Sequence, residues 1–251
     1  MKDLKDKVCV ITGAGKGFGR DMASVFFEND SQIALATRSL EDVESLTKEY
    51  AGYEDRVLIE RADLSNSEEV FLFRDKVFNK FGGADILINN AGMRFRRHFF
   101  EISPDDIEMV MKNNFLSIFW MCQAFLPDMV EKKYGKVINM TSVIGVLGLE
   151  DLSAYISSKA AIVGLTKALS VDFAKFNVNI NAIAPGFCKT SYFDNFMAHD
   201  HGLYPFTIDR TPARRWGESK EIANACLFLG SDMSSYVNGE VLNVDGGWSA
   251  W

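Results

Sequence analysis

The stretch Val8-Cys9-Val10-Ile11-Thr12-Gly13-Ala14-Gly15-Lys16-Gly17-Phe18-Gly19-Arg20 passes from an apolar run through a cluster of glycines into a helical period. Four apolar residues followed at once by Thr-Gly read as a short buried strand ending in a tight turn. Glycines let the backbone bend sharply and approach a ligand closely. A helix opening at this point offers free N–H groups and its positive dipole end to an anion. Strand, glycine turn and helix in that order form a cradle for a pyrophosphate. The spacing is Gly13-x-x-x-Gly17-x-Gly19 rather than G-x-G-x-x-G, so the order of elements carries the inference more than the spacing does.

The same alternation continues outward from that stretch. Short apolar runs at 8–11, 32–36, 56–59, 85–88, 136–140, 178–183 and 240–244 predict strands. Helical periods at 17–27, 40–50, 67–81, 104–132, 153–176 and 220–229 lie between them. Regular βαβ alternation predicts a parallel sheet of about seven strands with helices on both faces, because parallel strands need crossover connections. No repeat, low-complexity tract or linker divides the chain, so residues 1–251 are expected to form one α/β domain.

Composition narrows the function classes. The formal net charge is 27 − 34 = −7, which argues against a general affinity for nucleic acid or for anionic membrane surfaces. Cys9, Cys122, Cys188 and Cys226 follow no metal-ligand or CxxC spacing. The first seven residues alternate in charge, and the longest apolar stretch, 115–126, is too short to span a bilayer. A soluble, cytoplasmic protein without a metal site is expected.

The second strand ends Ala36-Thr37-Arg38-Ser39, where an NAD-binding fold places an acid on the ribose 2′-OH. Arg38 instead suits a 2′-phosphate, and Lys16 in the glycine turn could add a second cation. The expected cofactor is therefore NADP(H), with NAD(H) as the alternative. Asp63-Leu64 and Asn89-Asn90-Ala91-Gly92 each follow a strand, at the edge where open α/β sheets bind ligands. Asn113-Asn114 interrupts a helical run, and Asn is an indifferent residue in a helix interior.

Tyr155 and Lys159 are four residues apart in a helical segment and so share one face. A phenol titrates near pH ~10, and a nearby ammonium favours the phenolate. Ser142 ends a strand, where its hydroxyl could reach a substrate oxygen. Taken alone, the pair could equally be a helix-surface contact.

With these motifs assembled, the chain resembles the short-chain dehydrogenase/reductase family over essentially its whole length. The likeness rests on Thr12 to Gly19, Asp63, Asn89-Asn90-Ala91-Gly92, Asn114, Ser142, Tyr155-x-x-x-Lys159, Pro185-Gly186 and Val244-Asp245-Gly246-Gly247. The resemblance implies a single-domain, doubly wound Rossmann-type sheet and an enzyme interconverting a carbonyl and a secondary alcohol. Tyr155 would be the general acid/base, Lys159 would lower its pKa and hold the nicotinamide ribose, Ser142 would orient the substrate oxygen, and Asn114 would hold a water relaying protons to the lysine. Gly13, Gly17 and Gly19, with Lys16 and Phe18 in the same turn, would line the pyrophosphate. Thr37 and Arg38 would lie at the adenosine phosphate, Asp63 and Leu64 at the adenine, and Asn90, Ala91 and Gly92 along the adenosine and ribose. Pro185, Gly186, Cys188 and Thr190 would hold the carboxamide. A homotetramer or homodimer is implied, with Trp248 and Trp251 either at its interface or packed locally.

Three loops bear on the substrate. Arg94, Arg96 and Arg97 follow the Asn-Asn-Ala-Gly motif, and Arg96 resembles in position an Arg of gluconate-type dehydrogenases; a carboxylate ligand and a solvated loop are the alternatives. Glu150-Asp151 precedes Tyr155, with Asp151 expected to face solvent. Residues 190–216 are expected to form a lid whose aromatics Tyr192, Phe193, Phe196, Tyr204, Phe206 and Trp216 roof the pocket, while His199-Asp200-His201 is expected to be a polar tip. A 3-oxoacyl or general carbonyl reductase is the first expectation and a sugar-acid dehydrogenase the second. A cofactor-binding sensor or scaffold without turnover is the competing class, disfavoured by the complete set Asn114, Ser142, Tyr155 and Lys159.

Overall fold

The computed structural model describes residues 2–145, 147–190, 193, 197 and 202–250. Seven strands form one parallel sheet: β1 (Val8–Thr12), β2 (Gln32–Thr37), β3 (Val57–Arg61), β4 (Ile86–Asn89), β5 (Gly135–Met140), β6 (Val178–Pro185) and the last, β9 (Val241–Val244). Their order is β3-β2-β1-β4-β5-β6-β9. The chain therefore winds outward from β1 in one direction and then, from β4, in the other. Between β1 and β4 lies the switch point whose crevice accepts ligands in open α/β sheets.

Strand residues alternate between two apolar layers. Cys9 and Ile11 of β1 enter a cluster with Met22, Phe26 and Ile222, whereas Val8 and Val10 enter the opposite one with Phe73, Met121 and Phe125. Successive side chains of a strand point to opposite faces, so burial on both sides demands a continuous apolar run. Helices α1 (Gly17–Glu28) and α8 (Ser219–Gly230) cover the first face. Helices α3 (Ser67–Phe81), α5 (Ser117–Lys132) and α6 (Ser153–Phe173) cover the second, and α2 (Leu40–Glu49) lies beside the first. Two short strands, β7 (Cys188–Lys189) and β8 (Gly217–Glu218), pair apart from the main sheet.

The structure corrects one expectation and shows how two tryptophans pack. The helical run foreseen over 104–132 is divided: α4 (Pro104–Met111) passes into a π-turn at Lys112–Leu116 before α5 begins. Helical wheels cannot register the extra residue that such a turn inserts. Trp248 is buried against Phe187, with ring centroids 4.9 Å apart, so it packs within its own chain and is not an interface anchor; Trp251 lies outside the described residues. Trp216 is likewise buried, its Nε1 donating to Thr207 Oγ1 at 2.8 Å. It is the hub of a ring cluster with Phe187, Phe193 and Tyr204 rather than an open roof. Part of the foreseen loop is helix α7 (Leu203–Arg210); Tyr192, Phe196, His199, Asp200 and His201 lie outside the described residues.

Candidate active site

The glycine turn closes against the end of β4. Thr12 Oγ1 accepts the Asn90 and Ala91 N–H groups, each at 2.9 Å, and Asn90 Nδ2 donates back to the carbonyls of Thr12 (2.9 Å) and Gly13 (3.1 Å). Asn90 thus holds the turn rather than projecting into the crevice. Gly13 has φ +64°, and a Cβ there would come within 2.9 Å of Ala91 Cα. At Gly19 a Cβ would lie 2.2 Å from the Gly13 carbonyl oxygen, so no side chain fits. Lys16, at the N-cap of α1, makes no side-chain capping bond, and the first N–H groups of that helix are left for a ligand. Phe18 packs onto the core behind the turn, and Thr190 stands above Gly17, its Cβ 3.4 Å from where a Gly17 Cβ would be. These residues fit a pyrophosphate: the cradle is backbone, tightly built and edged by N–H groups.

The two expected phosphate cations lie at the same edge and are only loosely engaged. Lys16 Nζ is 3.6 Å from Asp42, and Arg38 Nη1 reaches Asn113 Oδ1 at 3.5 Å. Thr37 is buried with its hydroxyl directed to Asp42 at 3.3 Å. Asp63 accepts from the backbone and hydroxyl of Ser65, and Leu64 is buried beside it. Across the crevice Pro185 ends β6 and Gly186 donates to the Val244 carbonyl at 3.0 Å, so close to Asp245 that a Cβ would meet its Cα at 2.6 Å. Cys188 lies half-buried in β7; burial and the nearby Glu221 and Glu218 push its thiol up to about 12, leaving it protonated.

The chemistry gathers around α6. Asn114 is fully buried in the π-turn. Its Oδ1 accepts the Met93 N–H at 2.7 Å, and its Nδ2 donates to the Met93 carbonyl and to Ser158 Oγ, both at 3.0 Å. Ser158 in turn donates to the Tyr155 carbonyl at 2.7 Å. Lys159 is buried, its Nζ donating to the Met140 carbonyl at 2.8 Å. Desolvation without a counter-ion brings the Lys159 ammonium down to about 8. A Cβ at Gly92 would lie 3.5 Å from that nitrogen, so the end of β4 and the lysine meet.

Tyr155 is pushed above its ordinary range by desolvation, and two groups oppose this: the Ser142 hydroxyl beside it and then the Arg94 guanidinium. Lys159 reaches the phenol from the face of its ring. Its ammonium lies 5.8 Å over the ring centroid, bonded to a backbone carbonyl, rather than at the hydroxyl. Arg94 was foreseen only as one of three loop cations, yet it is the arginine whose charge is felt at Tyr155. Arg96 instead lies 3.8 Å from Asp151, and Arg97 bonds Asp106 at 2.6 Å. Asp151 is partly exposed, with Arg96 within reach. Thr12 and Ser158 also escaped the sequence reading, because a Thr before a glycine turn and a Ser inside Tyr-x-x-x-Lys look like fillers until their partners are folded onto them.

A backbone cradle for a pyrophosphate beside half-buried Ser142 and Tyr155 and buried Lys159 fits a dinucleotide-dependent oxidoreductase. A family model described as short chain dehydrogenase matches residues 7–200. The chain is 32% identical over 244 residues to a 3-oxoacyl-[acyl-carrier-protein] reductase of Thermotoga maritima, covering 97% of this chain and 98% of the relative. It is 35% identical to a 2-dehydro-3-deoxy-D-gluconate 5-dehydrogenase of Dickeya dadantii over 99% of this chain and 97% of the relative. Among solved structures, a gluconate 5-dehydrogenase from Burkholderia cenocepacia in complex with NADP and tartrate superposes with a TM-score of 0.92 at 30% identity, covering 100% of this chain and 98% of that one. The chain belongs to the short chain dehydrogenase family and is an oxidoreductase acting on CH–OH groups.

Proposed function

We propose that the protein is an NADP(H)-dependent enzyme that interconverts a carbonyl and a secondary alcohol, with Tyr155 moving the proton. The observation that carries this is the half-buried Tyr155, whose hydroxyl desolvation holds above its ordinary range so that it remains protonated at neutral pH, with buried Lys159 set over its ring. The chemistry a dinucleotide would supply when held there is hydride transfer to the carbonyl carbon, or from the alcohol. Ser142 and the Tyr155 hydroxyl hold the carbonyl oxygen; Tyr155 gives it a proton during reduction and takes one during oxidation. Lys159, with an ammonium near its titration point at neutral to mildly basic pH, and Asn114 behind it would return the proton to Tyr155. Arg38 and Lys16 would read the 2′-phosphate, the glycine turn the pyrophosphate, Asp63 and Leu64 the adenine, and Pro185, Gly186, Cys188 and Thr190 the carboxamide.

Segment 190–216 would form the lid, with Phe193 and Tyr204 packed on Trp216. A cytoplasmic homotetramer or homodimer is supported by the family likeness, by the free cysteines, and by exposed Met233 and Tyr236 beside β9. Among the described residues no helix is long and apolar enough to cross a membrane, and no three potential ligands gather to hold a metal ion.

Reduction of a 3-oxoacyl thioester or another apolar carbonyl is the first reading. Oxidation of a sugar acid is the second, favoured by the arginines that follow Gly92. The test is NADPH and NADP⁺ turnover by wild type and Tyr155→Phe on 3-oxoacyl thioesters, diketones, oxo sugar acids and secondary alcohols. Tyr155→Phe is expected to lose about 10³-fold in kcat while binding NADPH as wild type does; equal turnover by the two proteins would sink the proposal.

A further inference from the structure

We propose that Thr141 is a positioning residue for the reaction: its hydroxyl holds Lys159 and the Ser142 turn in one fixed relation. This rests on the roles given to Lys159 and Ser142 above and adds the residue that sets them in register.

Lys159 is fastened twice to the end of β5. Its Nζ donates to the Met140 carbonyl at 2.8 Å, and its own backbone carbonyl accepts the Thr141 hydroxyl at 2.8 Å. Head group and backbone of one lysine are thus tied to consecutive residues of the chain. Thr141 is itself held: it is buried, and its backbone N–H is bonded to the Ile183 carbonyl of β6 at 2.8 Å.

The turn that follows Ser142 closes on the same hydroxyl. Gly145 ends that turn (Val143–Gly145), and its N–H donates to the Ser142 carbonyl at 2.8 Å. A Cβ on Gly145 would lie 2.9 Å from Thr141 Oγ1 and 3.2 Å from Lys159 Cβ. The serine turn, the strand end and the lysine helix therefore meet at Thr141, with no space for a methyl group between them.

Apolar packing alone leaves this register underdetermined. The buried residues of α6 are Ala154, Ser158, Lys159, Ile162, Thr166 and Ser170, and only Ile162 among them is a large apolar side chain. Burial of apolar surface is non-directional, whereas a hydrogen bond tolerates little change in length and angle. A carbonyl inside a helix keeps a second lone pair beyond the one used in the helical ladder, so the Thr141 bond is not needed to satisfy it. Its consequence is positional: it fixes how Lys159 is presented to Met140 and to the ring of Tyr155. A misplacement of ~1 Å at a reacting group costs about 10²-fold in rate. Further along α6, Asn139 Nδ2 donates to Thr166 Oγ1 at 3.0 Å, which holds the helix about two turns away from the lysine.

The experiment measures kcat, KM, NADPH affinity and the pH profile of kcat for wild type, Thr141→Val, Thr141→Ser and Thr166→Val. The substrate is whichever 3-oxoacyl thioester, diketone or oxo sugar acid wild type reduces fastest with NADPH. Thr141→Val keeps the shape and removes only the hydroxyl, so kcat should fall about 10-fold or more while KM and NADPH affinity stay within about 3-fold. The pH of half-maximal kcat should move by about half a unit or more, because the lysine shifts in its dry site. Thr141→Ser should return kcat to within about 3-fold of wild type, and Thr166→Val, which removes a like bond from the same helix, should stay in that range too. Should Thr141→Val not fold, Gly145→Ala decides, since it crowds the same hydroxyl and should reproduce the loss of kcat. The inference is overturned if Thr141→Val keeps the kcat and pH profile of wild type, or if Thr141→Ser falls as far as Thr141→Val. A loss in Thr166→Val equal to that in Thr141→Val also overturns it, by making both residues general braces. Lys159→Met separates this inference from the reading beneath it. Intact turnover in Lys159→Met overturns the role of the lysine and this inference together; an inactive Lys159→Met beside an unimpaired Thr141→Val overturns this inference alone.

Discussion

The two sides of Tyr155 are built on different terms. Behind it, toward the sheet, polar groups are matched: Asn114 to Met93 and Ser158, Ser158 to the Tyr155 carbonyl, Lys159 to Met140, and Thr141 Oγ1 to the Lys159 carbonyl at 2.8 Å. In front of it, toward solvent, groups are left open. Arg94 has no carboxylate among the described residues, Ser153 Oγ is buried without a partner, and Phe99 and Phe100 are 67% and 88% exposed. A hollow of about 340 Å³ lies beside this rim, lined by His98, Phe99, Leu149, Glu150, Ser153 and Ile156 among others. The rear wall fixes geometry before anything binds, as proton transfer over hydrogen-bond distances requires. The rim carries unspent interactions, which is where discrimination between substrates resides.

The largest effect should come from the rear wall at Lys159. Lys159→Met is expected to cut kcat by about 10³-fold. It should also change the pH dependence of stability. The lysine pKa falls from 10.5 to about 8 on folding, so the unfolded chain binds more protons between those values. Wild-type stability therefore carries a penalty in full below pH 8 and loses it as pH rises toward 10.5. The penalty is about 3 kcal/mol by the pKa difference. Denaturant unfolding of both proteins at pH 7 and pH 10 checks this; a constant gap between them means that Lys159 is not desolvated as described.

Asn114→Ala comes next. Three hydrogen bonds in a dry site vanish, and stability should fall by about 2–3 kcal/mol. Turnover should fall by about 10²-fold, because the Met93 backbone and the lysine lose their common support. Loss of stability without loss of turnover would reduce the residue to a brace. At the crevice edge, Arg38→Asp is expected to weaken NADPH about 10- to 100-fold and leave NADH within about 3-fold, as a charge-assisted phosphate contact implies. Equal affinities of the wild type for the two cofactors would remove that residue from cofactor choice.

The smallest effect belongs to the rim. Phe100→Ser should change stability by less than about 0.5 kcal/mol and leave kcat on small substrates intact, since an exposed ring leaves no cavity behind. A drop in stability comparable to that of Asn114→Ala would erase the distinction between the two sides.

Much of this was visible in the residues. The seven strands appear where apolar runs mark them, because a strand buried on both faces cannot hide its composition. The glycine turn, Ser142, Tyr155 and Lys159 sit where their order placed them. Less visible were relations that depend on two segments meeting. The pattern could not show that Asn114 occupies a π-turn, that Asn90 braces the glycine turn through Thr12, or that Trp248 is buried in its own chain. Nor could it show how three nearby arginines are partnered: the sequence pointed to Arg96 by position, and the fold sets Arg96 beside Asp151 and Arg97 on Asp106.

By itself the sequence determined the class of fold, the glycine crevice and the family, because periodicity and glycine placement are local properties that survive any packing. Only the tertiary structure decided the electrostatics of the site. Desolvation raises the Tyr155 hydroxyl and lowers the Lys159 ammonium. Desolvation and partner choice arise only when distant segments close around a group, and no local pattern carries them.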